Sequence, residues 1–201
     1  MGWVWYMAGA WLVASAFFGR AWRRRRVQKR LHAGLRGTDH AVTIVGTIID
    51  SARLVESPLS GKKGVVVIAT AELPEFDHES LPVELKTTVA VPFYIDSIAN
   101  GIVRVEGTAF DTPMRGVAPK PRDRKREEAF MVANGRGATA ALAATFREVV
   151  LAPGMRVAVH GAKLVEEDHH AERGYRENAP LRTKLVAPEG QRLAIGEPPP
   201  P

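Results

Sequence analysis

The chain has 201 residues, of which 45% are hydrophobic and 25% are charged, and it contains no cysteine. This length suits one globular domain with an appendage rather than two full domains. The absence of cysteine excludes a disulfide scaffold, a thiolate nucleophile and any metal site with cysteine ligands.

The formal net charge of +6 originates in one short segment. Eight of the 28 basic residues lie within residues 20–36, where there is no acidic residue, whereas residues 38–201 carry 20 basic and 22 acidic side chains. Because the rest of the chain is close to neutral, the high isoelectric point does not by itself indicate a nucleic-acid-binding domain.

Residues 2–19 form an uncharged stretch with the sequence GWVWYMAGAWLVASAFFG. As a helix it would be about 27 Å long, close to the ~30 Å of the hydrocarbon core of a bilayer. Aromatic residues mark both ends, as is typical of membrane interfaces: Trp3, Trp5, Tyr6 and Trp22. The stretch predicts a transmembrane helix, because a cleaved signal peptide would need basic residues before it and an interfacial helix would need a charged face.

Residues 20–40 are predicted to form a basic juxtamembrane segment. Its charge places the following domain in the cytoplasm and the N-terminus outside, as in a bacterial inner membrane. Each cation can attract anionic headgroups by about 1 kcal/mol. Those predicted to lie along the membrane surface are Arg20, Arg23, Arg24, Arg25, Arg26, Lys29 and Arg30. The alternative is that this run only determines topology.

The predicted β domain covers residues 41–196, in which hydrophobic and polar residues alternate as in half-buried strands. Strands are predicted at residues 42–48, 64–71, 83–93, 101–106 and 155–160, with weaker candidates at 129–132, 181–186 and 192–195. Apolar residues spaced three to four apart between Gly137 and Pro153 predict one helix. The pattern favours a mainly β fold, a small OB-like, partly open β-barrel with one helix. A β-sandwich is the alternative.

Three polar segments interrupt or follow these elements. Residues 111–128 are predicted to be an exposed loop, residues 166–180 a second polar loop, and residues 197–201 a disordered proline tail. The first loop contains several basic residues, but acidic residues dilute them, and the loop itself has no aromatic residue for base stacking; the next one along the chain is Phe130. A nucleic-acid partner is therefore disfavoured.

Motifs that would carry chemistry are scarce. Ser60 and Lys63 fit the S-x-x-K spacing of some serine hydrolases, but they lie in a turn before a strand rather than at the start of a helix. The run EEDHH at residues 166–170 is rich in possible metal ligands, yet two adjacent histidines cannot share one face. No catalytic residue, cofactor or metal is assigned. A hydrolase or transferase built from dispersed residues, with Ser60 and His160 as candidates, is the enzymatic alternative.

Three stretches, in chain order, resemble a known family. They are GTIIDSARLVESPLSG at residues 46–61, PFYIDSIANGIVRV at residues 92–105 and REVVLAPGMRVAVHG at residues 147–161. Together they resemble the GIDE-type domain, also called the beside-a-membrane domain, of membrane-anchored RING ubiquitin ligases and their bacterial relatives. The resemblance implies a mainly β domain that is held close to a bilayer and used for binding.

The resemblance extends residue by residue only to turn and framework positions. These positions are Ser57, Pro58, Gly61, Asp96, Gly101, Glu148, Pro153, Gly154 and Gly161. The ligases of this family carry a C-terminal RING with zinc-binding Cys and His, and they commonly flank the domain with two spans. Because this chain has no cysteine and one predicted span, ubiquitin transfer is not expected.

Taken together, these features predict a membrane-anchored, non-enzymatic interaction domain next to the cytoplasmic face of a membrane. The expected partners are the bilayer with its anionic headgroups and another membrane or membrane-associated protein. Such a protein would dock on an exposed strand edge or in the mouth of the barrel. An OB-type binder of nucleic acid or anionic lipid is a further alternative.

Overall fold

The computed structural model describes most of the chain from residue 22 onward. The described residues are 22, 24–32, 41–49, 51, 53–74, 83–167, 181–188 and 190–198. The transmembrane helix predicted over residues 2–19, most of the loop predicted over 166–180 and the end of the proline tail lie outside them.

Within these residues the chain forms twelve strands, two α-helices and one 3₁₀ helix. Helix α1 is described over residues 24–32, α2 spans Arg124–Ala133, and the 3₁₀ helix spans Ala138–Leu142. The strands are β1 Val42–Ile48, β2 Val55–Glu56, β3 Lys63–Gly64, β4 Val66–Leu73, β5 Val83–Ala90, β6 Phe93–Ser97, β7 Gly101–Glu106, β8 Phe110–Asp111, β9 Thr145–Leu151, β10 Arg156–Glu167, β11 Leu181–Val186 and β12 Leu193–Gly196.

Five of the strands form a closed barrel. They follow one another in the order β1, β6, β7, β11 and β10, and β10 pairs back with β1. All neighbours are antiparallel except β7 and β11, which are parallel. The prediction of a mainly β barrel is confirmed. The expectation that the barrel is partly open is wrong, because β1 pairs along one edge with β10 and along the other with β6.

The barrel core is filled by alternate residues of its strands. Phe93 and Ile95 of β6, and Val103 and Val105 of β7, are fully buried, as the period of two requires. Gly46 of β1 allows the closest approach of two strands, because a Cβ there would collide with the carbonyl oxygen of Asp96.

A three-stranded antiparallel sheet, in the order β5–β4–β9, lies beside the barrel. One of its faces packs against α2 and the 3₁₀ helix and forms a second core, where the rings of Phe130 and Phe146 meet edge to face at 6.2 Å. Val66 and Ile68 of β4 belong to the barrel core, whereas Ala69 and Ala71 of the same strand belong to the second core. Strand β4 therefore joins the two cores.

The helix is displaced from the position that the sequence predicts. The region from residue 138 to 149, predicted to be helical, is a 3₁₀ helix followed by β9, which pairs with β4 over seven residues. Helix α2 instead begins in the predicted loop 111–128 and replaces the weak strand candidate 129–132. Its N-cap is Asp123, whose carboxylate accepts hydrogen bonds from two backbone N–H groups, as is typical of capping aspartates.

Other predicted elements agree closely with the structure. Strands β1, β7 and β11 have the predicted bounds. The long strand predicted over 83–93 is divided into β5 and β6, which are separated by Val91 and Pro92. Proline has no N–H for a strand ladder, so the break falls where pairing would be interrupted.

Candidate functional site

Helix α1 packs on the outside of the barrel. Val27 and Leu31, which are 9% and 3% exposed, form a small apolar cluster with Ala158 of β10 and Ala194 of β12. The two residues are four positions apart and therefore lie on one helix face. Charge alone predicts only a basic juxtamembrane segment here, whereas the spacing of this apolar pair is the sequence signal for a docked helix.

A buried hydrogen-bond chain connects α1 to the barrel wall. The hydroxyl of Thr43 donates to the backbone carbonyl of Leu31 at 2.7 Å, and Nδ1 of His160 lies 3.0 Å from the same hydroxyl oxygen. Because the single hydroxyl hydrogen is used toward Leu31, His160 must carry its proton on Nδ1 and donate to Thr43. His160 thus has a positioning role between β1, β10 and α1.

The cations predicted to lie along the membrane surface divide into two groups. Arg30 is 19% exposed; its guanidinium donates to the carbonyl of Arg192 at 2.9 Å and lies 3.6 Å from Asp111. The others in the described part of α1 are exposed, namely Arg24, Arg25, Arg26 and Lys29. Arg20 and Arg23 lie outside the described residues. Arg30 therefore stabilises the packing of α1 on the barrel, whereas the other described cations of α1 are exposed.

A large groove lies between α1 and the free face of the β5–β4–β9 sheet. Its volume is about 1060 Å³, and residues of the segment 111–116, residue 188 and residues 190–192 complete its rim. Among the residues of its walls that the structure describes, basic ones outnumber acidic ones by six to three. The basic residues are Arg24, Arg26, Arg30, Lys86, Arg147 and Arg192, and the acidic residues are Glu72, Glu84 and Asp111. We call this feature the groove.

A buried polar cluster joins the turn at residues 57–61 to β9. The hydroxyls of Ser57 and Ser60 donate to Oε2 of Glu148 at 2.5 Å and 2.9 Å. The Ser57 oxygen also accepts the backbone N–H groups of Leu59 and Ser60. Glu148 is 2% exposed, and its Oε1 is buried without a hydrogen-bond partner. We call Ser57, Ser60 and Glu148 the serine–glutamate cluster.

Helix α2 holds this turn from the other side. The guanidinium of Arg126 donates to the carbonyl of Ser57 at 3.3 Å and to the carboxylate of Glu56 at 2.7 Å. It lies against Gly61, whose φ of +74° is the left-handed conformation that glycine favours. Leu59 is fully buried in the second core. The turn is therefore fixed by contacts on three sides.

The framework positions of the resemblance are brought together only in part. Ser57, Pro58 and Gly61 lie in the same turn, which meets Glu148. The others lie elsewhere: Asp96 is exposed on β6, Gly101 follows the β6–β7 turn, Pro153 and Gly154 form the β9–β10 turn, and Gly161 lies within β10.

The two candidate catalytic residues, Ser60 and His160, have hydrogen-bond partners on different elements. The Ser60 hydroxyl donates to Glu148 rather than to Lys63, which is exposed on β3. His160 is hydrogen-bonded to Thr43. Throughout the part of the chain that the structure describes, no group of three or more His, Asp or Glu could hold a metal ion. The run EEDHH lies mostly outside that part.

Comparison with known proteins adds no assignment. No family model, curated protein or solved structure matches the chain. Neither described helix is long and apolar enough to cross a bilayer.

Proposed function

We propose that this protein is a membrane-anchored, non-enzymatic interaction domain that holds its barrel next to the cytoplasmic face of a membrane. The observation that carries the proposal is the docking of α1. The helix is described from residue 24, five positions after the uncharged stretch 2–19 ends. An anchor in that stretch would therefore lie within a few residues of a helix that packs on the barrel.

This arrangement suits the presentation of a binding surface. An anchor confines the domain to the plane of the membrane and raises its effective concentration for partners there. The contacts of Val27, Leu31 and Arg30 with the barrel would also limit rotation of the domain relative to the anchor. A partner in the same membrane would then always approach a similar side of the barrel.

We further propose that the fold is of the OB type and that the domain is GIDE-like. The closed ring of five strands, with a helix between its third and fourth strands along the chain, supports the first proposal. The turn that contains Ser57, Pro58 and Gly61 supports the second, because its hydroxyls meet Glu148 of another resembling stretch. Without a RING, the proposed role is binding alone.

The outer face of β6 and β7 gives little support to the alternative of a nucleic-acid-binding domain. OB-type sites stack bases on exposed aromatic rings. Along the described residues of these two strands the outward ring is that of Tyr94, and the guanidinium of Arg182 lies 4.7 Å from its centroid. A base would have to displace this cation before it could stack.

Cysteine labelling tests the anchor and its orientation, since the native chain offers no background. We expect a membrane-impermeant maleimide to label Gly2→Cys from outside in intact cells, and Thr139→Cys, an exposed position, only after the membrane is opened. The full chain should stay in the pellet after carbonate extraction. A control that replaces Leu12 and Val13 by Asp should be released. Release of the native chain, or labelling of Thr139→Cys from outside, would contradict the proposal.

The partner is sought by photo-crosslinking of the full chain in native membranes. Ile98 at the β6–β7 turn and Arg156 on β10 are exposed positions for the probe. We expect one dominant protein adduct that is lost when residues 1–37 are deleted. Adducts to lipid alone would argue against a protein-binding role.

A further inference from the structure

We propose that the groove between α1 and the β5–β4–β9 sheet binds the headgroup of an anionic phospholipid. This inference deepens the proposed function, on which it rests for the supply of lipid from an adjacent bilayer. The exposed cations on α1 would attract any anionic membrane surface. The proposal instead assigns recognition of one lipid headgroup to residues on the sheet.

On the floor of the groove, one basic residue lies on each side of Thr70. Thr70 of β4 pairs with Lys86 of β5 on one side and with Arg147 of β9 on the other. Neighbouring strands are about 4.8 Å apart, so the backbones of the two basic residues lie roughly 10 Å from each other. Both side chains are exposed and line the groove. A phosphate over Thr70 could be contacted from both sides.

The opposite wall adds further positive charge. Arg24 and Arg26 of α1 are exposed and line the groove. Arg30 is paired with Asp111, so among the described lining residues five basic side chains remain against two acidic ones. The two acidic residues, Glu72 and Glu84, form the cross-strand pair two residues along the strands from Thr70 and Lys86, on the same face of the sheet. The charge around Thr70 thus favours an anion, and guanidinium groups are suited to phosphate.

Apolar side chains continue the groove beyond this charged row. Ile68 and Val149 are cross-strand partners on the floor, and Met114 and Val27 line the walls. An anion joined to a hydrocarbon chain would contact both the charged row and the apolar part of the groove. A free phosphate would contact only the charged row. The volume of about 1060 Å³ lies near the upper end of ligand pockets, which are about 300–1,000 Å³.

The position of Trp22 indicates where such a ligand would come from. Trp22 is 62% exposed, lines the groove and is the residue predicted to mark the membrane interface at the end of the uncharged stretch. A lipid could therefore enter from the bilayer side of α1.

The test uses the full chain in mixed detergent–lipid micelles, so that it does not depend on the anchor. The probe is photoactivatable phosphatidylglycerol, and adducts are mapped by peptide mass spectrometry. The double variant Lys86→Gln/Arg147→Gln is compared with Lys125→Gln/Arg136→Gln, which removes the same charge from exposed positions in and after α2.

We expect adducts on groove peptides to fall by about fivefold or more in the groove variant, since two charge-assisted contacts are lost, and to change little in the control variant. Equal falls in both variants would mean general surface attraction and would overturn the proposal. Equal labelling by photoactivatable phosphatidylcholine, or complete competition by inorganic phosphate, would overturn the assignment to an anionic phospholipid. Carbonate extraction reports separately on the anchor.

Discussion

At the scale of single residues, the serine–glutamate cluster buries the side chain of Glu148, which is 2% exposed. Glu148 is a buried carboxylate, and such a group is stable only when hydrogen bonds replace its lost hydration. Two hydroxyls bond Oε2, while Oε1 has no partner. The sequence resemblance includes Ser57 in one stretch and Glu148 in another. Their contact could not be predicted, because Ser57 and Glu148 are 91 positions apart.

Replacement of Ser57 tests how much this contact stabilises the fold. Ser57→Ala removes a hydrogen bond to a charged group and the acceptor for two backbone N–H groups. We expect the free energy of unfolding to fall by about 1–3 kcal/mol, measured by urea denaturation. The control Thr139→Ala removes an exposed hydroxyl and should change it by less than about 0.5 kcal/mol. Similar effects of both changes would refute a stabilising role for the cluster.

At the scale of secondary-structure elements, strands were predicted better than helices. Period-two alternation identifies β1 and β7 because each buries alternate side chains in the barrel. The segment that forms β9 also contains apolar residues at helical spacing. Whether it becomes a helix or a strand therefore depends on pairing with β4, which lies far away in the chain. Hydrophobic periodicity does not indicate helix α2, because its first turns are highly charged; its sequence signal is the capping residue Asp123.

The docking of α1 is an element-scale property that proteolysis can measure. Leu31→Ala removes a side chain that is 3% exposed and packs on the barrel, which should weaken the docking by about 2–4 kcal/mol. Since trypsin cuts only locally unfolded segments, we expect cleavage within residues 24–30 to accelerate by at least about tenfold. Leu142→Ala, at a side chain that is 67% exposed, is the control and should leave the rate unchanged. An unchanged rate in Leu31→Ala would show that α1 is not held by this contact.

At the scale of the whole molecule, the two cores share strand β4 and should unfold as one unit. Met131 is fully buried in the second core, so Met131→Ala should destabilise the protein by about 2–5 kcal/mol. We expect amide hydrogen exchange to quicken in barrel peptides from β7 and β10 as well as around α2, because β4 contributes residues to both cores.

The neighbouring side chain supplies the control for this experiment. Val132 is 58% exposed, and Val132→Ala should leave exchange in both regions nearly unchanged. If Met131→Ala accelerated exchange only around α2, the two cores would be independent units and the coupling through β4 would be disproved.

The closed ring of strands also has a consequence for self-association. Open strand edges are templates for aggregation. A high local concentration in the plane of a membrane would increase the rate of such edge-to-edge pairing. Closure leaves β1, β6, β7, β10 and β11 without a free edge along their paired residues. In the adjoining sheet, Val117 bridges the outer edge of β9, and β5 carries charged side chains at Glu84 and Lys86. Copies of this domain could therefore be packed densely without joining their sheets.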